Sequence, residues 1–143
     1  MKNISERHKI VFISLIIYLV SLTQKTYCVD NDCGDYWNGY YLLIYGWVGL
    51  IVGGAGYCWI ANPLLILSWL LPKDKIKTSL IFSGISAFFA IIFLFFSEIM
   101  KDEAGHYGQI TGYKLGYILW LISTLITFIG FIYLIKKPVA NKW

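Results

Sequence analysis

Charge is what this 143-residue chain has least of: Asp, Glu, Lys and Arg together make up 14% of it, against roughly 25% in an ordinary soluble domain. The stretch Tyr40–Leu71 contains no charged residue at all. A soluble core cannot hide this much apolar surface in so short a chain, whereas lipid accepts it directly. Other absences narrow the chemistry. No phosphate-cradling loop, zinc-protease helix motif or nucleophile–base pair occurs, so the sequence shows no carrier for catalysis. No ionisable side chain falls near the middle of an apolar run; Glu98 and Lys114 lie at boundaries, where they can pair. Ion-coupled transporters usually keep such a group at depth. His106 beside Asp102 and Glu103 is a thin ligand set, since closed zinc sites usually take four ligands. That loop reads as solvated, with no metal and no cofactor expected.

What is present is apolar sequence punctuated by short charged groups. Lys2, Arg7 and Lys9, then Lys73, Lys75 and Lys77, then Lys136, Lys137 and Lys142 hold nine of the twelve basic residues. They alternate with two acidic stretches, Asp30, Asp32 and Asp35, then Glu98, Asp102 and Glu103. Basic loops stay in the cytoplasm, and a helical crossing needs about 20 apolar residues. The expectation is an all-α integral membrane protein: a four-helix bundle in the bacterial inner (plasma) membrane, both termini cytoplasmic. The whole chain, 1–143, forms one membrane domain with spans at about 9–27, 42–71, 76–98 and 112–135. Outer loops cover 28–41 and 99–111, and a short inner loop covers 72–75. The first apolar run, Ile10–Leu22, also has the length of a cleaved signal core, but no small-x-small site follows it and an uncleaved span is preferred. The basic groups are dispersed beside apolar runs, so they read as orientation signals and not as a nucleic-acid surface.

The second span is too long for a simple crossing. A continuous helix over Tyr40–Leu71 would measure about 48 Å at 1.5 Å per residue, against a hydrocarbon core of about 30 Å. The sequence predicts one tilted helix, its first turns in the outer headgroups behind a collar of Tyr36, Trp37, Tyr40, Tyr41 and Tyr45. A kink is expected at Pro63, which removes a backbone donor. Gly46, Gly49, Gly53 and Gly56 fall on one helical stripe, which lets a neighbouring helix approach closely. Ser79, Ser83, Ala87 and Ala90 form a second small-residue stripe, expected to face the first. Gly112 and Gly116 add a Gly-x-x-x-Gly step at the start of the fourth span. Asn62, at membrane depth, must find a polar partner, with Ser123, Thr124 and Thr127 as candidates. Cys28 and Cys33 lie in the outer loop, where a disulfide between them would staple a small ring. Cys58 reads as a packing residue.

Two strings carry a resemblance: Gly46-Trp47-x-Gly49 with Trp59-x-Ala61-Asn62-Pro63, and Ile110-Thr111-Gly112-Tyr113-x-Leu115-Gly116-Tyr117-x-Leu119-Trp120. Through them the chain resembles a group of small, four-span bacterial inner-membrane proteins of unassigned function. The resemblance implies four spans, and it implies that the two strings form one unit in the outer half of the bundle. It brings no catalytic residues and no ligand. The expected function is non-enzymatic: contact with another membrane or secreted protein through the outer loops, with immunity to a bacteriocin or delivered toxin as a concrete form. The alternatives are a subunit of a small oligomeric transporter or channel and, further off, a membrane thiol oxidase using Cys28 and Cys33.

Overall fold

The computed structural model describes residues 2–102 and 104–137; Met1, Glu103, Pro138 and Lys142 lie outside the described residues, as does the side chain of Lys2. The chain is mostly helical. Helix α1 (Lys2–Leu22) is followed by strand β1 (Tyr27–Val29), then by short helices α2 (Gly39–Tyr45) and α3 (Gly49–Val52) joined by a tight turn. A 3₁₀ segment, Gly54–Ile60, leads into α4 (Ala61–Leu70), and α5 (Ile76–Ile92) returns alongside it. Strands β2 (Glu98–Met100) and β3 (Tyr107–Tyr113) precede the last helix, α6 (Leu115–Lys136). Two helical stretches, Lys73–Phe95 and Leu115–Lys136, are long and apolar enough to cross a membrane; Gly39–Val52 and Gly54–Leu70 are shorter apolar helices.

The four longer helical segments pack antiparallel. Ser14 of α1 meets Ser123 and Thr127 of α6. Tyr18 and Arg7 of α1 meet Asn62 and the Leu71 carbonyl at opposite ends of α4. Ser86 of α5 donates to the Ala61 carbonyl of α4, and Tyr117 of α6 donates to the Ala90 carbonyl of α5. These pairings bring three basic regions together. Arg7 reaches the carbonyls that precede the Lys73–Lys77 loop, and Lys137 pairs with Glu6 at 2.7 Å. The acidic loops gather at the opposite end.

Those loops correct the all-α expectation. They form a three-stranded antiparallel sheet in the order β1-β3-β2, with Cys28 opposite Gly112 and Ile99 opposite Gly108. Alternating polar and apolar positions in Tyr107–Tyr113 suit a half-buried strand. Beneath the sheet lies an aromatic core of Tyr27, Trp37, Phe93 and Tyr117, with Val29, Ala55 and Cys58.

A second correction concerns the long apolar stretch. It is not one tilted helix over 42–71. It breaks at Gly53 (φ 94°) and Gly54 (φ 59°), which turn the chain back on itself. Gly53, at φ 94° and ψ −161°, holds a backbone conformation that only glycine adopts readily. The first arm, Gly39–Val52, folds against the start of the second: Leu42 and Leu43 carbonyls accept the Trp59 indole N–H, and Gly49 lies on Gly56. Pro63 lies two residues past Ala61, where the 3₁₀ segment gives way to α4, and having no N–H it cannot donate to the Trp59 carbonyl.

Candidate functional site

Two places concentrate polar chemistry: a buried seam between helices and the cap at the end of the bundle that carries the sheet. In the seam, Asn62 Oδ1 accepts from Tyr18 Oη (3.1 Å) and from Trp120 Nε1 (2.9 Å), while its Nδ2 donates to the Trp59 carbonyl at 3.1 Å. That carbonyl is the acceptor that Pro63, four residues on, cannot supply with a donor. One asparagine thus ties α1 and α6 to α4 and repairs the proline defect. Toward the other end, Ser14 Oγ meets Ser123 Oγ (3.0 Å) and Thr127 Oγ1 (2.7 Å), and Trp69 Nε1 donates to Thr127 Oγ1 at 3.0 Å. Further on, Arg7 is buried and its Nη2 donates to the Leu71 carbonyl at 2.7 Å, with the guanidinium 5.6 Å above the Phe131 ring. A cation there complements the C-terminal end of the α4 dipole.

The residues named from sequence fall out unevenly. Ser123, Thr124 and Thr127 do not reach Asn62. Ser123 and Thr127 bind Ser14, and Thr124 returns its hydroxyl to the Leu121 carbonyl of its own helix. Gly46, Gly49, Gly53 and Gly56 do not form one stripe on one helix, because the chain reverses at Gly53. Gly46 lies against the Trp59 indole, and Gly49 and Gly56 face each other within the hairpin. Ser79, Ser83, Ala87 and Ala90 are buried on α5, which packs against α4 and α6 and also meets the Gly54–Ile60 segment that holds Gly56. Gly112 belongs to strand β3, with open space where a Cβ would stand. Gly116 is in close packing, because a Cβ there would lie 2.7 Å from the Gln24 and Lys25 carbonyl oxygens. Tyr18, Trp69 and Ser14 were missed. Each sits in an apolar run where only its hydrogen-bonding atom marks it out.

The cap is built on a two-residue turn. Asp30 (φ 50°) and Asn31 (φ 65°) take positive φ, and Val29 and Asp32 exchange both backbone hydrogen bonds at 2.9 and 2.8 Å. Asp and Asn are the residue types that tolerate this mirror-image hairpin turn. Cys28 and Cys33, the next pair outward, are joined by a disulfide across Cα atoms 4.4 Å apart. The turn is then tied to β3: Asp30 Oδ1 accepts the Gln109 N–H at 2.9 Å, and Lys101 Nζ pairs with Asp30 Oδ2 at 2.9 Å. The Gln109 amide first, and Lys101 second, hold the Asp30 carboxyl below its ordinary 3.8, while Asp30 holds Lys101 above its ordinary 10.5. In the second loop Asp102 Oδ2 lies 2.7 Å from His106 Nδ1 and its Oδ1 accepts the His106 backbone N–H at 3.1 Å, which lowers the Asp102 carboxyl as well. Among the described residues no His, Cys, Asp and Glu group could hold a metal. An open depression of about 420 Å³ beside the cap is lined by Thr23, Gln24, Lys25, Asn38, Lys114 and Leu115.

The strings Trp59-x-Ala61-Asn62-Pro63 and Ile110–Trp120 meet in space through the hydrogen bond from Trp120 to Asn62. No protein-family model matches the chain, and neither does any curated protein or solved structure.

Proposed function

We propose that the chain is a four-span protein of the bacterial inner membrane that works through protein contacts at its outer cap, without catalysis. Its spans are α1, Gly54–Leu70, the stretch around α5, and α6, with both termini and the Lys73–Lys77 loop in the cytoplasm. Convergence of Arg7, the Lys73–Lys77 loop and Lys137 at one end supports that orientation. The observation that carries the functional reading is the contrast between the two polar regions. At depth, the hydroxyl, amide and indole groups of the Asn62 and Ser14 clusters are taken up by one another, which favours a packing role for them over contact with a solute. Outside, both loops are spent on a folded, disulfide-closed sheet bearing exposed Tyr107, Lys101 and Asp102. Burial of Cys28 favours a staple over an exchanging thiol pair.

Immunity to a membrane-acting bacteriocin or a contact-delivered toxin is the concrete form of this reading. Killing assays test it, with the gene expressed or deleted in cells challenged by a panel of such toxins. Protection against one member, lost on replacing Lys101 and Tyr107 with unchanged protein level, is the expected result. Unchanged killing across a wide panel would count against immunity.

A further inference from the structure

The arm Gly39–Val52 has no place among the four spans. At 1.5 Å per residue it is about 21 Å long, too short to cross a hydrocarbon core of about 30 Å. It starts at the outer end of α1, where a Cβ on Gly39 would meet the Ser21 carbonyl and Leu22 Cα, and it ends at the Gly53–Gly54 reversal. Resting on the membrane reading above, we propose that this arm is an interfacial anchor, seated in the outer-leaflet headgroup layer with its exposed face against lipid.

Three observations converge on that partner. The first is the chemistry of the exposed face. Around the arm Tyr36, Tyr40, Tyr45, Trp47 and Tyr57 stand exposed among Ile44 and Ile51, whereas the exposed large residues of α5 are Ile81, Ile85, Phe88 and Ile91. Rings with a polar tip gather at the membrane interface, while purely apolar side chains suit the hydrocarbon. The second is charge. No charged residue lies between Asp35 and Lys73, so the arm can enter the headgroup layer without desolvating an ion. The third is the broken backbone. A chain reversal at Gly53–Gly54 followed by a 3₁₀ segment leaves backbone groups outside the regular helical pattern. Such groups are tolerated near headgroups and water but not against lipid tails.

Spin labels read the depth directly. Single cysteines for a nitroxide go in at Ile44→Cys and Ile51→Cys on a Cys58→Ala background, in proteoliposomes; both positions are exposed, at 58% and 76%, and tolerate a label. Reference labels go at Ile129→Cys, exposed on α6, and at Tyr107→Cys, exposed on β3. Collision with oxygen against a water-soluble nickel chelate is compared at each site. The proposal expects both arm labels to fall between the two references. Arm labels as nickel-accessible as Tyr107→Cys overturn it and return the arm to water, free for a protein partner. Labels as oxygen-rich as Ile129→Cys also overturn it, making the arm a deep re-entrant hairpin. A water-accessible label at Ile129→Cys defeats the membrane reading itself, a result distinct from the other two.

Discussion

Replacing Asn62 with leucine is the sharpest test of the helix arrangement. The side chain keeps a similar bulk and loses all three hydrogen bonds, two of them to other helices. Interhelical hydrogen bonds in membrane proteins contribute about 0.6 kcal/mol on average and about 1.7 at most. The two interhelical bonds give a loss of about 1 kcal/mol, with about 3 as the ceiling, and the local bond to the Trp59 carbonyl adds to it. The loss falls on the Tyr18 hydroxyl and the Trp120 indole N–H, which lose their acceptor, and on the Trp59 carbonyl, which keeps only the Ala61 N–H because Pro63 offers none. Reversible unfolding in mixed micelles, or steric trapping in bicelles, measures the change. A double-mutant cycle with Trp120→Phe separates the bond from the packing, and coupling of about 0.6 kcal/mol is expected. If Asn62→Leu unfolds within the error of the wild type and shows no coupling to Trp120→Phe, the seam does not hold these helices together and the α1–α4–α6 contact is wrong.

Other perturbations bear on the remaining parts of the fold. Ser14→Ala removes a hydroxyl bonded to Ser123 and Thr127 and should lower stability by about 1 kcal/mol, whereas Ser79→Ala removes a buried hydroxyl with no partner and should be neutral or stabilising; equal losses in micelle unfolding would contradict this. Cys28→Ser opens the disulfide ring and should cost the cap roughly 2 kcal/mol by loop-closure entropy, seen as faster protease cutting after Lys25 and Lys101 with the helices still intact; wild-type cutting rates would show that the staple is dispensable. Because the folded-state Asp30 carboxyl lies below its ordinary 3.8, its contribution to cap stability is complete above that pH and is lost as the pH falls through the lower, folded value. Carbon-13 NMR of the Asp30 carboxyl should therefore titrate below 3.8, and Lys101→Ala should move the midpoint upward; a midpoint at or above the ordinary value would remove the proposed tie to Gln109 and Lys101.

How much of this was legible depended on whether a residue's role is set by its neighbours in sequence or by residues far away. Apolar runs, basic clusters and the Cys28–Cys33 spacing act locally, and the helix positions and the disulfide follow from them. The break at Gly53–Gly54 was hidden because four glycines at helical spacing also fit a packing stripe. Only the closeness of Gly49 to Gly56 shows that the stripe folds on itself. The sheet was hidden for a different reason. Tyr107–Tyr113 alternates as a strand does, yet Gly112 and Gly116 also fit the start of a membrane helix, and the pairing that decides between them lies far off at Tyr27–Val29. Asn62 plainly needed a partner, but its partners are a tyrosine and a tryptophan, which in an apolar run look like interface or core residues.

The cap and the seam are mechanically one object, and this bears on how a partner would bind. Tyr113 and Tyr117 lead from β3 into α6, and their hydroxyls donate to the Phe93 and Ala90 carbonyls at the end of α5. Trp120, one turn further on, binds Asn62. The sheet therefore stands on three helices through hydrogen bonds that are already made, and its edge hairpin is closed by a disulfide. A surface ordered in advance loses little conformational entropy when a partner docks, and affinity gained this way does not depend on the area of contact. On the proposed reading, Cys28→Ser should weaken protection even though buried Cys28 offers little surface to a partner, and it should do so through a slower or rarer ordered state. Loss of protection that is restored by raising the toxin-binding protein's expression would fit that account, because mass action compensates a smaller competent fraction. Loss that persists at high expression would instead mean that the hairpin itself makes the contact.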